Sequence, residues 1–220
     1  MSYRFTATDD YINSEKKIKT LIKFATSEEK KGNDENRVLF LKLGVVLLVT
    51  RFQVYVEKVL EEFSYELIQA NKLNSALPLH LRLYSIKIHS EKKSIQNELK
   101  DPNGFNIRKF ESLKTLVNLL NNFCDDSQAI HPELKIETKF PLGKQGLNEL
   151  KSLFKQLEGK DIFENAKFDI NKLNEILNRR HNIIHEDAND QLTELKVKEY
   201  KVFVALVVKH IDSYLKKLLK

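Results

Sequence analysis

Apolar residues recur at intervals of three and four along most of the chain, the spacing that places them on one face of an α-helix. Over residues 9–31 the repeating positions are Tyr11, Ile12, Ile18, Leu21, Ile22 and Ala25, with lysines and glutamates between them. That pattern predicts an amphipathic helix capped by Thr8 or Asp9. Gly32 and the polar residues after it read as a turn. Residues 38–67 then carry apolar side chains densely enough for the central helix of a bundle, and Phe52, Tyr55, Val56, Val59, Leu60, Phe63 and Leu67 keep helical register.

Residues 71–78 break the pattern, and 79–99 resume it with a highly charged stretch around Glu91 to Lys93. The run Asp101, Pro102, Asn103, Gly104 marks a turn before a further helix over 107–123. Residues 124–143 differ in character. They hold two prolines, the acidic pair Asp125 and Asp126, and an alternation of Leu134, Ile136, Thr138 and Phe140, which predicts a long loop with at most one short strand. Such a loop can serve as a lid, a rim or a plain connection. Helical spacing returns at 145–157 and ends at Gly159. Asp169 is placed to cap a helix from 170 to 185 whose apolar face takes Ile170, Leu173, Ile176, Leu177 and Ile184. After an acidic turn at 186–190, residues 192–219 predict a last long helix with Val197, Tyr200, Val204, Val207, Val208, Ile211 and Leu215 facing inward.

The fold class expected is all-α: an antiparallel bundle of four principal helices with one or two shorter extra helices and a long loop. The domain expected is a single one over 1–220, with the N-terminal helix and turn in 1–35 and the long loop in 124–143. Composition agrees, since 220 residues with six glycines, four prolines and no tryptophan contain few helix breakers. A formal charge of +6, most of it from lysines scattered among acidic residues, permits a polyanionic partner without specifying one. The single cysteine, Cys124, rules out an internal disulfide framework and a cysteine-rich zinc site. The run 38–49 is the nearest approach to a membrane span, but Lys42 and Gly44 interrupt it, so a buried helix is expected, with no membrane and a cytoplasmic location.

Candidate chemistry concentrates in 177–187, where Arg179, Arg180, His181 and His185 fall within seven residues. On a helix His181 and His185 project from one face, and the long stem of Arg180 must reach round to join them. An always-charged guanidinium fork would then stand beside imidazoles able to gain or lose a proton near neutral pH. Two other readings of the same residues stay open. The arginines can be a solvated basic helix end favoured by the helix dipole, with the histidines capping carbonyls or packing. Alternatively His181 and His185, with Glu186 or Asp187, can hold a metal, although Asn182 stands where a zinc protease needs glutamate. A second Arg/His spacing, Arg82 with His89, lacks the placement before a final helix. Glu57 reads either as a buried, paired carboxylate or as an edge-exposed charge, and His80, His131 and His210 stand alone. The lysines at 92, 93, 216, 217 and 220 read as solvated helix ends that could also track an RNA backbone.

The sequence Arg180-His181-Asn-Ile-Ile-His185, near the end of a late helix with one long helix to follow, resembles the Arg-x4-His motif of the HEPN superfamily. The likeness is greatest to the RiboL-PSP-like branch of HEPN ribonucleases, whose early long helix is similar to residues 51–57. The resemblance implies a metal-independent endoribonuclease for single-stranded RNA, acting as a homodimer with the motif at the interface and using no cofactor. In it Arg180, His185 and His181 would be catalytic, and Arg179 and Asn182 would contact substrate. It further implies a toxin or phage-defence effector, restrained by an antitoxin or other regulatory protein. The alternative function is a non-catalytic HEPN-like module that binds RNA, a nucleotide or a protein partner.

Overall fold

The structure, a computed structural model, describes residues 4–92, 107–142, 146–186 and 192–220. Seven α-helices occur among the described residues: α1 Thr6–Lys30, α2 Asp34–Gln69, α3 Leu79–Lys92, α4 Ile107–Cys124, α5 Gly146–Glu158, α6 Asn171–His185 and α7 Glu194–Leu218. These are the helices that the apolar spacing predicts, with ends displaced by a few residues, and the fold class is all-α. The turn expected at 101–104, the far end of the third helix and residues 187–190 of the acidic turn lie outside the described residues.

Two compact units divide the chain. The first consists of Met1–Glu62, Thr138–Leu153 and Asp161–Lys220, and it contains the candidate motif. Its core is built from α1, α2 and α7, through Ile18 and Ile22, Leu41, Val45, Leu48 and Phe52, and Val204, Val207 and Ile211, all buried. Where α2 meets α7, a Cβ at Gly44 would stand 3.4 Å from Val197 Cγ1, so the residue that interrupts the apolar run is also where the last helix comes close. By length and composition α2 could cross a membrane, and 44% of its most apolar stretch is buried within the protein. The buried share includes Leu41, Val45, Leu48 and Val49, while Leu39 and Leu43 are exposed.

The cap of α1 differs from the expected one. Neither Thr8 nor Asp9 caps it: the residue before the helix is Phe5, and Glu62 of α2 accepts the Thr6 and Ala7 N–H groups at 2.7 and 2.8 Å. A carboxylate at a helix N-terminus meets both free donors and the positive end of the dipole, so a residue distant in sequence can replace a local cap. The Thr8 hydroxyl instead donates to Asp212 of α7 at 2.5 Å.

The second unit, Phe63–Glu137 with Phe154–Lys160, packs α3 against α4. Here Arg82 is buried and donates to the Phe123 carbonyl at 3.0 Å and the Asp126 carboxylate at 2.8 Å, while His89 Nε2 lies 2.8 Å from the Glu133 carbonyl. The second Arg/His pair is therefore structural, tying a helix to the loop that follows α4. The end of α2 turns through Asn71, at φ 48°, into a short 3-10 turn, Asn74–Ala76. Gly159, at φ 79°, ends α5 with His80 packed 3.1 Å from where its Cβ would be.

The long loop contains no strand among its described residues, only an isolated bridge between Leu73 and Ala129. The alternation at 134–140 is nevertheless real, because Leu134 and Phe140 are buried. Its backbone groups bond to side chains where a neighbouring strand would otherwise serve. Gln156 accepts from Glu137 N–H and donates to Glu137 C=O, both at 2.7 Å, and Ser85 accepts from Lys135 N–H at 2.9 Å. In the first unit Glu57 accepts from Phe140 N–H at 3.0 Å and Gln53 donates to Phe140 C=O at 2.8 Å. Glu57 is thus half-buried and paired, but its partner is the loop backbone.

Candidate functional site

Asp169 is not the cap of the motif helix: that position is taken by Ile170, with no side-chain cap bond, and the Asp169 carboxylate accepts the Asn171 N–H at 3.0 Å from two residues ahead of the helix proper. Leu173, Ile176 and Leu177 bury one face of α6, and Leu177 lies against the start of α5, where a Cβ at Gly146 would stand 3.1 Å from Leu177 Cδ1. The apolar face ends there. Ile184, expected to extend it, is 44% exposed, so the last turn of α6 leaves the core and carries its side chains at the surface. The final backbone bond runs from Glu186 N–H to the Asn182 carbonyl at 2.9 Å.

On that last stretch Arg179, Arg180, His181 and Asn182 are half-buried and His185 is exposed. The His181 and His185 rings stand 4.5 Å apart between centroids, tilted by 45°. Helical geometry separates them by about 40° around the axis, but separates Arg180 from His185 by about 140°. One chain therefore pairs the two imidazoles directly and leaves Arg180 on another flank. Arg180 Nε and His181 Nδ1 are both buried without a hydrogen-bond partner among the described residues. Buried polar atoms are nearly always paired, so these two neighbours are open to a partner that the described residues do not supply, as is Arg82 Nε in the second unit.

Arg179 faces a different set of groups. Tyr200 of α7 donates to Glu175 Oε1 at 2.5 Å, Lys196 approaches the same oxygen at 3.1 Å, and Arg179 adds its charge and a contact to Tyr200. The Tyr200 hydroxyl, with further help from Lys196, holds the Glu175 carboxyl below its ordinary range. Burial, and then the bond to Glu175, push the Tyr200 phenol up. This cluster locks α6 to α7. A second lock, Arg37 on both oxygens of Glu194 at 2.9 Å, fixes the start of α7, where Thr193 caps it.

The Tyr200–Glu175 bond has a testable pH signature. The depressed carboxyl contributes stability above the unfolded Glu value of 4.5 that is lost as pH falls through the folded value; the raised phenol contributes stability below the unfolded Tyr value of 10.0 that is lost as pH rises. Tyr200→Phe should cost about 1 kcal/mol at neutral pH in urea denaturation, the partly exposed pair being discounted for solvent. The gap between variant and parent should narrow below 4.5 and above 10.0.

Among the described residues no three of His, Cys, Asp and Glu are placed to hold one metal ion, and Asp187 lies outside those residues. The lone histidines have structural surroundings: His210 Nε2 lies 2.7 Å from the Ile162 carbonyl and stacks on Phe163, and His131 Nδ1 accepts from Glu133 N–H at 3.1 Å. Of the lysines near the C-terminus, Lys216 pairs with Asp212 at 2.8 Å.

The motif turn is thus held on two sides, exposed at its end, and followed by one long helix. The profile of the RiboL-PSP-HEPN family matches residues 9–217. The chain belongs to the RiboL-PSP-HEPN family. The match spans α1 to α7 and so includes the motif of this HEPN chain and both helices that frame it. No curated protein and no solved structure matches the chain.

Sequence spacing gave no sign of a lysine cleft in this HEPN domain. Lys19, Lys23, Lys30, Lys198 and Lys201, with Thr26 and Ser27, line a cavity of about 540 Å³ between α1 and α7. Lys201 pairs there with Glu15 at 3.1 Å, and the charge of Lys198 acts on Glu194. The lysines of α1 were visible in the sequence as the polar face of a helix, but their meeting with α7 is a matter of tertiary packing.

Proposed function

We propose that this chain is a metal-independent endoribonuclease of HEPN type that cleaves single-stranded RNA in the cytoplasm, working as a homodimer through Arg180, His181 and His185. The observation that supports it most is the Arg180-x4-His185 motif on the surface turn of the penultimate helix of a RiboL-PSP-HEPN chain, with Arg180 Nε and His181 Nδ1 buried and unsatisfied. The ribose 2′-oxygen attacks the adjacent phosphorus as one imidazole takes its proton. The bond to the 5′-oxygen breaks, that oxygen gains a proton from a second acid, and a 2′,3′-cyclic phosphate and a 5′-hydroxyl result. His185 and His181 fill the base and acid roles, and Arg180 stabilises charge on the phosphorane. Arg179 and Asn182 contact the strand. The angle of about 140° between Arg180 and His185 favours a site completed by a second copy, in which each chain supplies what the other turns away. Such an enzyme would need restraint by an antitoxin or other regulatory protein, as a toxin or phage-defence effector does.

A second reading has its own support in the lysine cleft, whose excess positive charge suits a phosphate backbone whether or not that backbone is cut. In it the chain is a non-catalytic HEPN-like module that binds RNA, a nucleotide or a protein partner. One assay separates the two. The purified protein should cut single-stranded RNA with EDTA present, leave 2′,3′-cyclic phosphate ends and spare DNA of the same sequence, which lacks the attacking hydroxyl. RNA that is bound but intact at every pH and with every metal would install the second reading in place of the first.

A further inference from the structure

On the opposite side of α1 from the lysine cleft lies a smaller, half-open cavity of about 290 Å³, lined by α1 and α2. Two of its lining residues each have a buried polar atom with no hydrogen-bond partner among the described residues: Tyr11 Oη and Arg51 Nε. Tyr11 is 3% exposed, and its ring packs on Tyr55 at 5.8 Å. Tyr55 lines the same cavity but spends its hydroxyl on the Val208 carbonyl at 3.1 Å. An idle hydroxyl beside a busy one is unusual, because a buried phenol normally finds a partner and phenylalanine would fill the space without that cost.

Charge narrows what the partner is. The cavity is lined by three cations, Lys17, Arg51 and Lys58, and by one carboxylate, Asp10, which pairs with Lys58 at 3.2 Å. Glu15, the other carboxylate near Tyr11, pairs with Lys201 outside the cavity. About two positive charges are left uncompensated. Burial keeps the Tyr11 hydroxyl protonated far above neutral pH, so it is available as a donor just beneath the cavity wall, as is Arg51 Nε. Residues that bear a guanidinium, an ammonium and a hydroxyl line one small space, and those groups match the charge and the acceptor oxygens of a phosphate dianion. The volume is at the low end for ligand pockets, which makes the phosphate group itself the recognised moiety.

We propose that this cavity binds a phosphate dianion, either free or as the terminal phosphate of a nucleotide, through Arg51, Lys17 and the Tyr11 hydroxyl. Binding here requires no cleavage of RNA and is separate from the motif on α6.

The test is calorimetric titration of the full chain with inorganic phosphate and, separately, with adenosine 5′-monophosphate, at constant ionic strength, alongside thermal melting. Phosphate should bind saturably and raise the melting temperature. Tyr11→Phe should weaken binding about tenfold, because it removes one hydrogen bond to a charged ligand. Without ligand the same variant should melt at or above the parent temperature, since it removes an unsatisfied buried hydroxyl. Lys17→Ala, on the exposed rim, should also weaken binding. Tighter binding of the nucleotide would identify the source as a nucleotide phosphate, and equal binding would identify the phosphate group alone. The proposal is overturned if neither ligand binds saturably up to roughly 10 mM, or if Tyr11→Phe binds as the parent does.

Discussion

Replacing His185 by alanine should lower RNA cleavage by about two to four orders of magnitude, the range associated with losing a general acid or base. The fold should not notice. His185 is exposed at the end of α6, beyond the last buried residue of that helix, Leu177, and its one recorded contact is the ring of His181. Melting temperature and helix content should therefore match the parent, which separates a catalytic loss from unfolding. Cleavage by His185→Ala at the parent rate, with the same cyclic phosphate ends, would end the ribonuclease assignment to this residue. Arg180→Ala should act alongside it. Its Nε makes no hydrogen bond, so removing the side chain breaks no recorded bond while taking charge from the phosphate. If the protein arrests growth when expressed, both variants should relieve that arrest.

The largest stability effect is expected at Phe140. This residue is fully buried in the irregular segment before α5, with its ring edge-on to Phe52 at 6.2 Å and its backbone held by Gln53 and Glu57. Phe140→Ala would remove a large aromatic side chain and leave a cavity against α2, for a loss of about 3–5 kcal/mol. Chemical denaturation of the variant should show that loss as an earlier midpoint. A change below about 1 kcal/mol would mean that the segment is not packed as described. Because no strand partners Phe140, its aromatic anchor and the two side-chain bonds carry the attachment that a sheet would supply elsewhere.

How far the sequence led depends on whether the governing force was local. Apolar periodicity located the seven helices found among the described residues, because each buries a face and the face has to repeat with the helix. The stop at Gly159 was likewise readable from residues close by, whereas the cap expected of Asp169 falls to Ile170 one residue later. Where a distant residue did the work, local reading failed. Thr8 and Asp9 looked like caps, but Glu62 takes those N–H groups from a helix 55 residues away. Ile184 fits the helical repeat and yet is exposed, since α6 passes beyond its packing partners before that residue is reached.

The candidate site shows the same division. The motif, its position before a last helix and the family were legible in one short run of residues around Arg180 and His185. The engagement of Arg179 with Tyr200 and Glu175 was not, because it depends on how α6 meets α7. Nor were the lysine cleft and the Tyr11–Arg51 cavity, each of which needs two helices to exist. The pair Arg82 and His89 is instructive in the opposite sense. Its spacing is suggestive, but Arg82 Nη1 is held by the Phe123 carbonyl and the Asp126 carboxylate and His89 lies against the Glu133 carbonyl, so both side chains tie α3 to the end of α4 and the loop after it.

The side-chain bonds along 134–140 have a further consequence. A run that alternates apolar and polar residues is the kind of backbone onto which another extended chain adds, and proteins with such runs must keep them from seeding assembly. Here Gln156 occupies both the donor and the acceptor of Glu137, and Glu57 with Gln53 does the same at Phe140. At those two positions the ribbon is already plugged. The protein keeps a β-prone segment in a helical fold without offering it as a template to its neighbours.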